Sequence, residues 1–125
     1  MIRHILAIDD SAAMREILSA TLTTAGYDVT VAADGDEGLE NALAVSYDLV
    51  LTDQHMPGKT GLDLIAALRG NPAYQMTPIL VLTTESGEPF KAAARAVGAT
   101  GWIEKPLDPD MLTELVAALA EPDHA

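Results

Sequence analysis

The chain has 125 residues, 49% hydrophobic, 21% charged and only 4% aromatic, which excludes disorder and predicts an aliphatic core covering roughly two thirds of the unfolded surface. Seven Lys and Arg stand against 19 Asp and Glu, a net charge of -12 that repels nucleic acid and anionic membrane surfaces. The absence of cysteine removes disulfides, thiolate zinc sites and thiol chemistry, and fits a reducing compartment.

The start, MIRHILAIDD, holds an apolar run too short for a signal-peptide core, and no stretch approaches the roughly 20 apolar residues of a membrane span. A soluble, cytoplasmic protein is expected. Ile5 to Ile8 read as a first strand. Met14, Ile17, Leu18, Leu22 and Ala25 then form a helical stripe over 12–25, closed by Gly26. Val29 to Ala32 form a second, weaker strand. Leu49-Val50-Leu51 and Ile79-Leu80-Val81-Leu82 are unbroken aliphatic runs, the pattern of parallel strands buried on both faces. Gly70-Asn71-Pro72 closes the third helix. The alanine-rich fourth helix, with Phe90, Ala94 and Val97, either exposes a partner surface or packs on the sheet.

Trp102-Ile103 mark a short fifth strand. Asp108 then caps a last helix with Pro109 at its first position, and Leu107 with Leu112 forms the hydrophobic staple. Met111, Leu112, Leu115, Val116 and Leu119 repeat the amphipathic stripe. Five strand-helix units thus begin near residues 4, 27, 48, 78 and 101, without a linker, predicting one doubly wound α/β domain over 1–125. The third unit is the longest, and its excess is assigned to the loop Asp53 to Gly61. Long loops at the carboxyl ends of such strands tend to serve function.

Every polar candidate falls at a predicted strand end: Asp9-Asp10 after the first, Asp53 after the third, Thr83-Thr84 after the fourth, Lys105-Pro106 after the fifth. Parallel strands place those ends on one edge. Taken singly, Asp9-Asp10 read first as a helix cap, Asp53 as a loop cap and Lys105 as a solvated charge; their joint placement reverses that reading. Three converging carboxylates repel one another and are relieved by protonation or by a cation, and an all-oxygen set suits Mg2+, with Mn2+ a plausible substitute. Asp53 could then attack phosphorus as a carboxylate nucleophile, with Lys105 pairing a phosphoryl oxygen and Thr83 donating a hydrogen bond.

Asp9-Asp10, the run LVLTDQHMPGKTG, the strand end LVLTT and GATGWIEKP together resemble the receiver domain of two-component response regulators, across essentially the whole chain. The resemblance implies a flavodoxin-like (βα)5 sheet of order 2-1-3-4-5. It implies phosphorylation of Asp53 by a histidine kinase and a metal site of Asp9, Asp10, Asp53 and the His55 backbone carbonyl. Lys105, Thr83 and the Thr84 backbone N–H would contact the phosphoryl group, with Thr83 and Trp102 as the coupled switch to helix 4, strand 5 and helix 5. Pro57, Gly58, Gly61 and Pro106 would shape the loops, and Lys105-Pro106 resembles the family's cis peptide. Such a protein catalyses only its own phosphorylation and dephosphorylation.

Asp9-Asp10 followed by Ser11-Ala12-Ala13-Met14-Arg15, with no output domain expected after the last helix, resembles the single-domain chemotaxis (CheY-like) subgroup. A monomer is expected, with a flagellar motor switch component as partner and neither nucleic acid nor membrane. A phosphorelay shuttle or phosphate sink would use the same chemistry. An aspartate-nucleophile phosphohydrolase would need two aspartates separated by one residue, and a flavodoxin a hydroxyl-rich phosphate loop where two acids stand. Trp102 departs from the more usual Tyr or Phe, and His55 and Thr84 from smaller residues. His4 reads as an edge histidine, His124 as part of a frayed tail, and Met14 and Met111 as core.

Overall fold

The computed structural model describes residues 2–120; His124 lies outside the described residues. The strands are β1 (His4–Ile8), β2 (Asp28–Ala32), β3 (Leu49–Asp53), β4 (Ile79–Thr83) and β5 (Gly101–Glu104). Between and after them run α1 (Ala12–Thr24), α2 (Gly35–Ala44), α3 (Gly61–Arg69), α4 (Glu88–Val97) and α5 (Pro109–Ala120). All pairings are parallel and the order is β2-β1-β3-β4-β5, as the resemblance implied. Among the described residues no helix is long and apolar enough to cross a membrane.

The continuous aliphatic runs explain why the sheet lies between two helical layers. Leu6, Ile8, Val50, Ile79 and Val81 point to one face and pack with Leu64, Ile65, Leu68, Phe90 and Ala94 of α3 and α4. Ile5, Ala7, Leu49, Leu51, Leu80, Leu82 and Ile103 point to the other and pack with Leu18, Leu22, Leu112 and Val116 of α1 and α5. Each fully buried aliphatic side chain contributes about 1.5–3 kcal/mol. The fourth helix therefore packs on the sheet through Phe90, Ala94 and Val97, while Lys91, Ala92, Ala93, Arg95 and Ala96 line its outer side.

Periodicity overstates the stripes at their margins. Ile17 is 44% and Met111 45% exposed, and Ala25 is exposed too, because a helix on a flat sheet buries a face narrower than its apolar arc. In β2, which has one neighbour, Val31 is 37% exposed, so this strand is not buried on both faces. The helix ends behave as read: Gly26 takes φ +103 beyond α1, Asp108 accepts from Asp110 N–H at 3.0 Å, and Leu107 packs against the cluster holding Leu112. His4 is exposed at the start of β1, 4.0 Å from the Asp28 carboxylate.

The extra length of the third unit is shared between two places, not confined to the Asp53–Gly61 loop. A 3-10 turn, Pro72–Tyr74, follows α3 and carries a side chain that the apolar periodicity missed. Tyr74 is 2% exposed, its hydroxyl 2.6 Å from Ala42 O and 3.0 Å from Val45 O while accepting Tyr47 N–H at 3.3 Å. Burial pushes its phenol above the usual value. This one hydroxyl ties the end of α2 to the entry of β3. Tyr74→Phe should lower the unfolding free energy by about 1–3 kcal/mol in urea melts, the cost of stranding buried backbone groups.

Candidate functional site

The capping role that competes for Asp9 and Asp10 is taken by their neighbour. Ser11 is the N-cap of α1 and accepts Met14 N–H at 3.2 Å, while Asp9 Oδ1 accepts Ser11 N–H at 2.9 Å. Asp9 Oδ2 is thereby left free to face the sheet edge. Arg15 Nη1 donates to Asp9 O at 2.8 Å, and Asp9 N–H donates to Ala32 O at 3.1 Å, so the residue is held from both sides. Asp53 closes β3, opposite Leu82 of β4. Asp9 is 1% and Asp53 3% exposed; Asp10 faces solvent.

Oxygens of Asp9, Asp10 and Asp53 lie within 4.8 Å of one another. Lys105 reaches the cluster from beyond β5, its Nζ 2.9 Å from Asp53 Oδ1 and 3.8 Å from Asp9 Oδ2. Its backbone N–H donates to Thr83 O at 2.8 Å and its bond to Pro106 is cis, as the resemblance implied. One ammonium against three carboxylates leaves a local excess of negative charge. Asp9 Oδ2 and Asp53 Oδ1, both buried, accept no hydrogen bond; the ammonium touches the latter out of line for one. Burial above all pushes the Asp9 carboxyl above its ordinary value; the Ser11 N–H opposes this, Asp53 reinforces it and Lys105 offsets it. Two buried oxygens without hydrogen bonds, one of them paired only with the Lys105 ammonium, within an all-oxygen donor set fit a hard divalent cation such as Mg2+.

Most of the remaining predicted residues lie at the carboxyl end of the sheet or in the loops that follow it. Thr83 is fully buried, its Oγ1 accepting Glu85 N–H at 2.8 Å, which leaves the hydroxyl proton free to be donated. Thr84 is exposed in the next loop. His55 is exposed and its Nε2 lies 3.4 Å from Glu85 Oε2, joining the β3–α3 and β4–α4 loops. Gly58 takes φ +75 in the turn after Pro57. At Gly61 a Cβ would lie 2.5 Å from Asp53 O, so the loop closes only because that position has no side chain. Trp102 stands apart from the acids: it packs on the α4 side, with Lys91 Nζ 5.9 Å and Arg95 Cζ 5.3 Å from its ring centroid. Sequence reasoning missed Glu85 and, though Arg15 belongs to the motif after Asp9-Asp10, gave it no contact; only the folded loops reveal the partner of each.

This geometry agrees with the comparisons to known proteins. The family model "Response regulator receiver domain" matches residues 5–117, and the chain belongs to that family. It is 37% identical over 112 residues to chemotaxis protein CheY1 of Helicobacter pylori, covering 88% of this chain and 90% of that one. It is 34% identical over 113 residues to transcriptional regulatory protein FixJ of Bradyrhizobium diazoefficiens, covering 90% of this chain but 54% of FixJ. The chain thus spans about half the length of the first curated relatives that it matches.

Among solved structures, chemotaxis response regulator CheY4 of Vibrio cholerae superposes with a TM-score of 0.89 at 42% identity, over 94% of this chain and 98% of that one. A response regulator protein from Burkholderia multivorans shares 67% identity at a TM-score of 0.85, over the full length of both.

The raised carboxyl of Asp9 has a definite sign. Its favourable contribution to stability is fully present below the unfolded value of 3.8 and is lost as pH rises through the higher folded value. Asp48 works in the opposite sense. Its partial burial opposes ionisation, but the N–H groups of Arg3 and His4, at 2.9 and 3.0 Å, hold its carboxyl below 3.8, and its contribution is lost as pH falls. Above pH 3.8, melting of the metal-free chain should therefore shift downward as pH rises through the Asp9 titration. Asp9→Asn should abolish that slope and raise the melting temperature at neutral pH.

Proposed function

We propose that this chain is a phosphoacceptor switch: Asp53 takes a phosphoryl group from a histidine kinase with Mg2+ at the acidic cluster, and the phosphorylated form binds a partner protein. The observation that carries this reading is the buried Asp53 carboxylate, 2.9 Å from Lys105 and grouped with Asp9 and Asp10 at the carboxyl edge of the sheet. Asp9, Asp10, Asp53 and the His55 backbone carbonyl would hold the cation, which supplies positive charge against the phosphoryl oxygens.

The chain's own groups do the rest. An Asp53 oxygen forms the new O–P bond while the donor's P–N bond breaks, and the bonding pair returns to the imidazole, which takes up a proton. Lys105 pairs with a phosphoryl oxygen from a side chain 23% exposed, where its charge is incompletely screened. Thr83 donates its hydroxyl proton, and the Thr84 N–H gives a further hydrogen bond. Thr83 and Trp102 relay the change toward α4, β5 and α5. Pro57, Gly58, Gly61 and Pro106 shape the loops in support.

A cytoplasmic role in chemotaxis, with a flagellar motor switch component as target, is favoured by the CheY relatives, which this chain matches over most of both lengths. A phosphorelay shuttle or phosphate sink outside chemotaxis is the second reading, left open by transcriptional regulators that match over 87–90% of this chain.

Incubation of the purified chain with Mg2+ and a small-molecule phosphodonor should add the mass of a single phosphoryl group and change the fluorescence of Trp102. Asp53→Asn or omission of Mg2+ should abolish the added mass, and Lys105→Ala should slow its appearance about tenfold or more. A folded, Mg2+-binding wild-type chain that incorporates nothing would sink the phosphoacceptor reading. Phosphorylated chain that fails to bind the motor switch component would remove the chemotaxis assignment alone.

A further inference from the structure

Gln54 follows the proposed acceptor directly, is only 9% exposed, and has no task in the reading above. Three hydrogen bonds converge on it. Its N–H donates to Leu82 O at 2.9 Å, continuing the β3–β4 pairing one residue past Asp53. Its carbonyl accepts Gly61 N–H at 3.1 Å, and its side-chain Oε1 accepts Leu62 N–H at 3.0 Å. One residue thus takes the first two N–H groups of α3.

The helix does not need Gln54 in order to start. Thr60 caps it, accepting Asp63 N–H at 3.1 Å while Asp63 Oδ2 accepts Thr60 N–H at 3.0 Å, a complete capping box. What the side chain of Gln54 adds is closure. It bonds across the span 55–60 and holds the end of β3 against the first turn of α3. A Cβ at position 61 would meet Asp53 O and, at 3.1 Å, Gln54 Oε1, so the first turn of α3 lies close against the backbone of the acceptor itself. His55 is the first residue of the enclosed span, and a backbone carbonyl serves a hard cation only if its direction is fixed by the bonds around it.

The geometry points to Gln54 as a positioning residue for the cation site: its bond to Leu62 N–H fixes the start of the loop that follows Asp53, from which the His55 backbone carbonyl would complete the set of Asp9, Asp10 and Asp53. This rests on the phosphoacceptor reading and deepens it. An apolar side chain of the same length would leave the Leu62 N–H without its acceptor and release the start of the loop.

The test is a titration of unphosphorylated chain with Mg2+ alone, followed by amide chemical shifts, together with hydrogen exchange at the Leu62 amide. Gln54→Met should lose the Leu62 protection and bind Mg2+ about tenfold more weakly, the usual scale for a residue supporting a metal ligand. Gln54→Glu, which keeps an oxygen for Leu62 N–H, should retain both protection and affinity. Thr60→Ala, which loosens the same helix end but spares the Gln54 bond, should stay within about twofold of the wild type.

Equal weakening in Thr60→Ala and Gln54→Met, or unchanged affinity in Gln54→Met, would overturn the assignment of Gln54 while leaving the phosphoacceptor reading in place. If Gln54→Met does not fold, Gln54→Asn, too short to reach Leu62, carries the same expectation. A wild-type chain that binds no Mg2+ would overturn both readings.

Discussion

Three carboxylates held within 4.8 Å of one another, two of them buried, are the unfavourable interaction around which the carboxyl edge of this sheet is arranged. Coulomb repulsion at such separations is strong wherever water is excluded, and burial adds a desolvation cost for each charge. Lys105 relieves part of it by reaching back from beyond β5 to touch Asp53 and approach Asp9. The rest remains as local excess negative charge and as two buried oxygens without hydrogen bonds. A cation bound among these acids would relieve that excess. The fold tolerates the repulsion because two aliphatic layers beneath the edge contribute far more than one strained cluster costs.

Holding the acids in place falls to backbone and small polar groups. Ser11 takes the capping duty that would otherwise occupy Asp9, and Arg15 grips the Asp9 carbonyl. On the other side Gly61 and Gln54 draw the β3–α3 loop against Asp53. Across the mouth, His55 and Glu85 join the two flanking loops. Thr83 belongs to the same network, since its hydroxyl oxygen accepts the Glu85 N–H. Thr83 meets Glu85 at its backbone N–H, and His55 meets Glu85 at its carboxylate. The chemistry and the loops that admit it are physically connected before any partner arrives.

Trp102 shows how a substitution at one position can draw on a neighbouring element. The indole lies beside Lys91 and Arg95 on α4. Each such contact contributes about 0.5–1 kcal/mol when exposed. The ring is thus coupled to α4 directly, as well as through the packing of Phe90 and Ala94 beneath it. Movement of Trp102 would carry α4 contacts with it.

Apolar runs and stripes were enough to place the five strands and the first and last helices, because burial on two faces or one leaves a periodicity in the residues themselves. Turn chemistry placed Gly26 and the Asp108-Pro109 helix start for the same local reason. The acids, Thr83 and Lys105 were legible as a set once the strands were taken as parallel, since that assumption alone brings their ends to one edge. Tertiary structure decided what local pattern cannot contain: which side of a stripe faces solvent, as with Ile17 and Met111, and which polar groups meet across the chain. Tyr74 with Ala42, Arg69 with Gly98 O at 2.9 Å, and His55 with Glu85 are separated by 29 to 32 positions, and nothing in their own neighbourhoods encodes the partner. Hydrophobic patterning is written locally because every residue of an element meets the same core; a hydrogen bond or ion pair is written only in the geometry that brings two particular atoms together.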